Sequence, residues 1–226
     1  MNKNNKELGL KVKEHLISLG VETPIIENGL TDDQKIESLT ELHHAIHEVL
    51  GLDINDDSIA ETPKRIAKLQ VLESMKGLNY ENFPKMTTVE NKFYEGMVSV
   101  NDIKVHSLCE HHHERVTMLV SIAYIPEKGG KVLGLSKLAR LADFFGSRPI
   151  VQERFTTQVI EAMKFILGTK DVAIHVRGIH MCMYSRGVKE PCSNTTTTIL
   201  SGEFKTDFAL RGEFLKGIDI TKPIMG

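Results

Sequence analysis

Residues 97–126 read "MVSVNDIKVHSLCEHHHERVTMLVSIAYIP". The two arms, 97–108 and 115–126, are rich in β-branched residues and read as strands on either side of CEHHH, residues 109–113. Cys109 and His112 stand three positions apart. On a turn that spacing sends both side chains one way. On an extended strand it would send them to opposite faces. CEHHH is therefore predicted where the first strand breaks.

Working outward, "GLSKLARLADFFGSRP" and "VQERFTTQVIEAMKFILG" read as two successive helices. Leu138, Leu141 and Phe145, then Phe155, Val159, Met163 and Ile166, form their buried stripes. "DVAIHVRGIHMCMYS" and "SNTTTTILSGEF" return to strand, the threonine run suiting a pleated surface. The order strand, strand, helix, helix, strand, strand predicts an α+β fold, an antiparallel four-stranded sheet with two helices on one face. Apolar residues shift from even to odd positions after Gly178, so a bulge is expected there.

Residues 1–95 read as a helical N-terminal region before the 96–226 domain. "KELGLKVKEHLISLG" is a short amphipathic helix stopping at Gly20. A second helix starts at Thr31 and Gln34, which have capping-box spacing, and stops at Gly51. Its apolar residues Ile36, Leu39, Leu42, Ile46 and Val49 keep helical spacing, and His43, His44 and His47 read as solvated surface. A third takes Thr62 as N-cap with Pro63 following, and Gly77 closes it.

The 226 residues are 41% hydrophobic and 26% charged, an ordinary globular balance. A net charge of −2 gives no reason to expect nucleic-acid binding, so any anionic ligand needs a local basic pocket. The absence of tryptophan argues against a base-stacking platform. No run approaches the roughly 18 apolar residues of a membrane span, and the polar start is unlike a signal peptide. Three scattered cysteines do not make a disulfide framework, so a reduced cytoplasmic setting is expected, where Cys/His clusters bind metal or do chemistry.

A second cluster, His180 and Cys182 in "HMCM", shares one side of its predicted strand. A Cys109/His112/Cys182 set is soft enough for zinc and leaves a position open, as catalytic sites do. Zinc lowers the pKa of bound water to about 7, and the spare histidines can move protons. Against this, Cys182 beside methionines can be a small hydrophobe, and Cys192 is a rival ligand that would close the site.

Gln152 and Glu153 open a helix, where an amide and a carboxylate can read a purine edge. The plainer reading is that Glu153 favours the helix N-terminus or pairs with Arg154. Ser136 is a predicted N-cap with Lys137 and Arg140 in the first turn, a plausible phosphate site. Arg65 and Lys68 repeat the pattern, and Arg186 follows Cys182 by four.

The stretches "ETPKRIAK", "GLNYENFPK", "CEHH", "AYIP", "VLGLSKLAR", "RPIVQERFT", "HMCM…RG" and "TTTT", in that order over residues 58–216, resemble the GTP cyclohydrolase I family. The resemblance implies a tunnelling fold whose subunits close into rings, two pentamers stacking as a homodecamer with sites between subunits. It implies a zinc-dependent reaction that opens the imidazole ring of GTP, releases formate and makes 7,8-dihydroneopterin triphosphate for folate or tetrahydrobiopterin. No nucleic acid or membrane partner is implied.

By the same resemblance Cys109, His112 and Cys182 are the zinc ligands. His111 is the proton donor, His180 a second acid/base residue, and Ser136 assists the later rearrangement. Glu153 anchors guanine with Gln152 beside it. Lys137, Arg140, Arg186, Arg65 and Lys68 contact the triphosphate, the last two reaching a neighbouring subunit's site. His113, where the family usually has an apolar residue, Cys192, and the loosely matching "NKFYEGMVS" are departures.

Overall fold

The computed structural model describes residues 4–225. Residues 1–3, part of the polar start, and residue 226 lie outside the described residues. The N-terminal region carries α1 (Lys6–Ser18), α2 (Asp32–Val49) and α3 (Thr62–Lys68). The expected capping box between Thr31 and Gln34 is present at the start of α2. Gly20 and Gly51 take φ of 68° and 74°, where glycine ends a helix without a Cβ penalty.

In this region the structure departs from three sequence-based expectations. Thr62 is the first helical residue of α3, with Glu61 as its N-cap. The helix does not run to Gly77: a π-helical stretch, Leu69–Ser74, and a 3-10 turn, Lys76–Leu78, follow it. A Cβ on Gly77 would stand 2.1 Å from the Phe144 carbonyl oxygen, so the glycine serves close approach to another helix. The histidines of α2 are also not all solvated. His47 is buried and its Nδ1 donates to the His43 carbonyl at 2.6 Å, while His43 Nε2 meets Gln70 Oε1 at 2.9 Å.

The sheet is built from β2 (Val98–Cys109), β3 (Arg115–Tyr124), β6 (Val172–His180) and β7 (Thr195–Leu200), antiparallel throughout. Those are the four expected strands. A fifth, β5 (Pro149–Ile150), adds in parallel at the β2 edge, giving the order β5-β2-β3-β6-β7. A separate ribbon pairs β1 (Thr88–Glu90) with β4 (Lys131–Leu133). Neither short feature carries enough residues to show a pattern in sequence.

The bulge expected at Gly178 is absent: β3 and β6 pair without a break from Val116↔His180 to Tyr124↔Val172. The register shift lies instead in β2, between Val100 and Ile103, with Asp102 at φ 58°. Gly178 is required for a different reason. A Cβ there would fall 2.4 Å from Gln152 Oε1.

Helices α4 (Ser136–Gly146) and α5 (Gln152–Leu167) cover one sheet face, as their stripes require. Leu138, Leu141, Phe145, Phe155, Val159 and Met163 are fully buried against Met118, Val120, Ile122, Ile174 and Val176. Val12 and Leu16 of α1 belong to the same core. The opposite face receives α7 (Glu203–Thr206) and α8 (Phe208–Lys216), whose Phe204 and Phe214 pack with Ala123 and Ala173.

The remaining short helix, α6 (Met181–Tyr184), corrects the reading of HMCM as strand. The strand stops at His180, and the next four residues coil into a turn. Alternation in "HMCM" mimics a strand, but no further pairing with β3 remains beyond Val116.

Candidate active site

The β2–β3 connection is a tight hairpin. The Cys109 amide donates to the Glu114 carbonyl at 2.7 Å, and the His113 amide returns to the Cys109 carbonyl at 2.8 Å. Closing it puts His113 at φ 54°, a left-handed conformation in which histidine is among the more tolerated residues. This gives His113 a backbone role, and its side chain lines a cleft of about 1020 Å³ with Ile25, Ile26 and Tyr80. The hairpin is tied to β5 by the parallel pair Cys109↔Ile150 and by the Glu110 amide, which donates to the Ile150 carbonyl at 3.0 Å.

Because the hairpin turns at Cys109 and β6 coils at His180, three donors converge. The Cys109, His112 and Cys182 donor atoms all lie within 4.8 Å of one another. Donors sharing one zinc with bonds of about 2.0–2.3 Å sit roughly 3.5–3.8 Å apart, so a small side-chain closure suffices. Two thiols and an imidazole are a donor set that suits a soft divalent ion. Cys109 is buried, Cys182 half-buried and His112 exposed, which leaves an approach from solvent. Burial pushes the Cys182 thiol up, and the neighbouring Cys109 thiol adds to the effect. Cys192 is exposed and does not belong to the group.

His111 is exposed beside the donors, its Nδ1 3.9 Å from Cys109 Sγ. His180 is half-buried, and burial lowers its pKa while the Glu153 carboxylate pulls it upward. Gln152 is only 2% exposed. Its Oε1 accepts from His180 Nε2 at 2.9 Å, and its Nε2 donates to the Thr195 carbonyl at 3.1 Å and Thr197 Oγ1 at 3.2 Å. Both ends of the Gln152 amide are thus engaged by protein. Glu153, its neighbour, is exposed and makes no ion pair among the described residues. Arg154 instead meets Glu110 Oε2 at 2.5 Å, a contact that sequence reading missed and that no spacing rule signals.

Other expected site residues are not brought to the donors within one chain. Ser136 is exposed and begins α4 without capping it, because Leu135 holds the N-cap position with helical angles and no side-chain cap bond forms. The preceding strand β4 is anchored where the Leu133 amide donates to the Tyr124 hydroxyl at 3.0 Å. Tyr124 ends β3 at the opposite end from Val116, which pairs with His180. Ser136 and Lys137 therefore lie at the far end of the sheet from Cys109. Arg65 and Lys68 sit on α3, packed beside α2, while Arg186 follows the α6 turn near Cys182. None of these five cations, Arg140 included, forms an ion pair among the described residues.

A soft donor triad with two histidines nearby, and a carboxylate that forms no ion pair among the described residues, is an arrangement suited to catalysis. The family model described as GTP cyclohydrolase I matches residues 39–219, and the chain belongs to that family. It is 49% identical over 210 residues to the GTP cyclohydrolase 1 of Aeromonas salmonicida (strain A449), covering 92% of this chain and 95% of that one. It is 47% identical over 213 residues to the GTP cyclohydrolase 1 of Aliivibrio fischeri (strain MJ11), covering 94% and 97%. With the Shewanella loihica protein of the same name the identity is 46% over 210 residues, covering 92% and 97%. No helix among the described residues is long and apolar enough to cross a membrane.

Proposed function

We propose that the protein opens the imidazole ring of GTP by hydrolysis, releases C8 as formate and forms 7,8-dihydroneopterin triphosphate, the first step toward folate or a related pterin. Family membership supports the reaction. The observation that carries the site is the convergence of Cys109, His112 and Cys182 with His111 and His180 beside them. Zinc held by the three donors would supply the Lewis acidity that makes water nucleophilic at neutral pH.

The chain's own residues do the rest. C8 of guanine is a poor electrophile, and a proton delivered to N7 by His111 makes it a better one. His180, held by Gln152, serves as the second acid/base group as the formamide is split. Glu153 accepts from guanine N1–H and the amino group. Adenine presents neither pattern and would leave a carboxylate unpaired, which is a strong basis for rejection. Lys137, Arg140, Arg186, Arg65 and Lys68 bind the triphosphate, consistent with their forming no ion pair among the described residues. Ser136 assists the ribose rearrangement.

Those roles need more than one chain. Ser136 and Lys137 stand a sheet's length from the donors, so a neighbouring copy must supply them. An exposed apolar stripe on α2, with Leu42 58%, Ile46 48% and Val49 88% exposed, supports self-association. We infer a homodecamer with sites between subunits. Purified, zinc-loaded protein incubated with GTP should release formate and, after oxidation, give pterin fluorescence. Absence of both products would overturn the reading. Native mass measurement tests the assembly.

A further inference from the structure

Glu110 separates Cys109 from His111 and His112, yet it belongs to neither the donor set nor the proton-transfer groups. Its carboxylate holds Arg154 at 2.5 Å, with the two side chains 29% and 31% exposed. That is deeper than a surface ion pair, so solvent screens it less. The Glu110 main chain is held as well, its amide donating to the Ile150 carbonyl at 3.0 Å.

Arg154 is the residue after Glu153 in the first turn of α5. A guanidinium offers five donors and matches a carboxylate as a two-pronged fork. Left free, the long Arg154 side chain, next to Glu153 in sequence, is a cation that could turn to the Glu153 oxygens. The structure shows Arg154 turned away to Glu110, while Glu153 keeps no ion pair among the described residues. The sequence alone left Glu153 open to pairing with Arg154, and Glu110 decides that choice.

We propose that Glu110 is a positioning residue for purine recognition: by holding Arg154 on the hairpin, it keeps Glu153 an unpaired carboxylate available to guanine. This rests on the reading of Glu153 as the guanine anchor. It differs from a simple staple between hairpin and helix in the sign of its couplings. A staple is broken equally by removing either partner, and removing both is no better. A sequestered cation is harmful only when its holder is lost.

The test is steady-state GTP turnover by Glu110→Gln, Arg154→Gln, the double variant and Glu153→Gln, each with metal content and melting temperature measured. Glu110→Gln should raise KM about tenfold with kcat changed far less, the size of one charged hydrogen bond lost to competition. Arg154→Gln should leave KM within about twofold, and adding it to Glu110→Gln should bring KM back to within about twofold. Equal losses in both single variants, no recovery in the double, or loss of metal and stability in Glu110→Gln would overturn the proposal. If Glu153→Gln itself leaves KM unchanged, the guanine-anchor reading fails. If Glu153→Gln raises KM and Glu110→Gln does not, only the sequestering role fails.

Discussion

Gln152 Oε1 accepts a hydrogen bond from His180 Nε2 at 2.9 Å, while its nitrogen donates to the Thr195 carbonyl. A carbonyl can only accept, so the amide nitrogen must face Thr195 and the oxygen must face the histidine. If His180 has the proposed acid/base role, Gln152 acts through it. Gln152→Ala should lower kcat by about tenfold or more with little change in KM, whereas loss of a direct guanine contact would raise KM. Gly178→Ala should reproduce the effect, because its Cβ would fall 2.4 Å from Gln152 Oε1. Steady-state kinetics of both variants check this.

Arg148 is fully buried and its Nη1 meets Glu22 Oε1 at 2.9 Å. Its guanidinium also lies 4.9 Å from the Phe144 ring centre and 5.3 Å from that of Tyr80, whose hydroxyl donates to Glu22. Breaking one side of such a pair leaves a buried charge without a partner. Glu22→Gln or Arg148→Met should each cost about 3–5 kcal/mol, and the double variant should cost less than the sum. Urea unfolding measures all three.

Removing one soft donor should abolish stoichiometric metal binding. Cys182→Ser is expected to lose the metal and the activity together, while Cys192→Ser keeps both, since Cys192 stands outside the donor group. Elemental analysis of the purified variants decides it. Metal loss in Cys192→Ser would restore the closed, structural reading.

His175 lies on the sheet face away from α4 and α5. Burial lowers its pKa, and the Arg177 guanidinium lowers it further. Its Nδ1 meets Thr198 Oγ1 at 2.8 Å, and its buried Nε2 has no partner among the described residues. The folded state therefore binds this proton less readily than the unfolded chain. Its contribution is complete above the unfolded pKa of about 6.5 and is lost as pH falls through the lower folded value. The melting temperature should fall between pH 7 and pH 5, and His175→Gln should reduce that fall.

Much of the fold was legible because its signals are local. Leu138, Leu141 and Phe145 repeat at helical spacing, and the strands flanking CEHHH are β-branched. The donors were legible too, because Cys109 and His112 share a turn. Cys182 was read on a strand because Met-Cys-Met alternates, and only the end of pairing beyond Val116 shows why the chain coils. Gly178 was read as a bulge, but its cause is the Gln152 side chain, 26 positions away by number. Long-range polar contacts such as Arg154 to Glu110 and Arg148 to Glu22 leave no periodic trace. Charge alone does not name its partner.

The placement of Ser136 and Lys137 a sheet's length from Cys109 has a genetic consequence. If neighbouring copies share each site, a chain disabled at Cys182 and a chain disabled at Lys137 carry their defects at opposite ends of the sheet. In a mixed ring some interfaces would join the sound end of one to the sound end of the other. Two inactive alleles could then complement each other, while two alleles damaged at the same end could not.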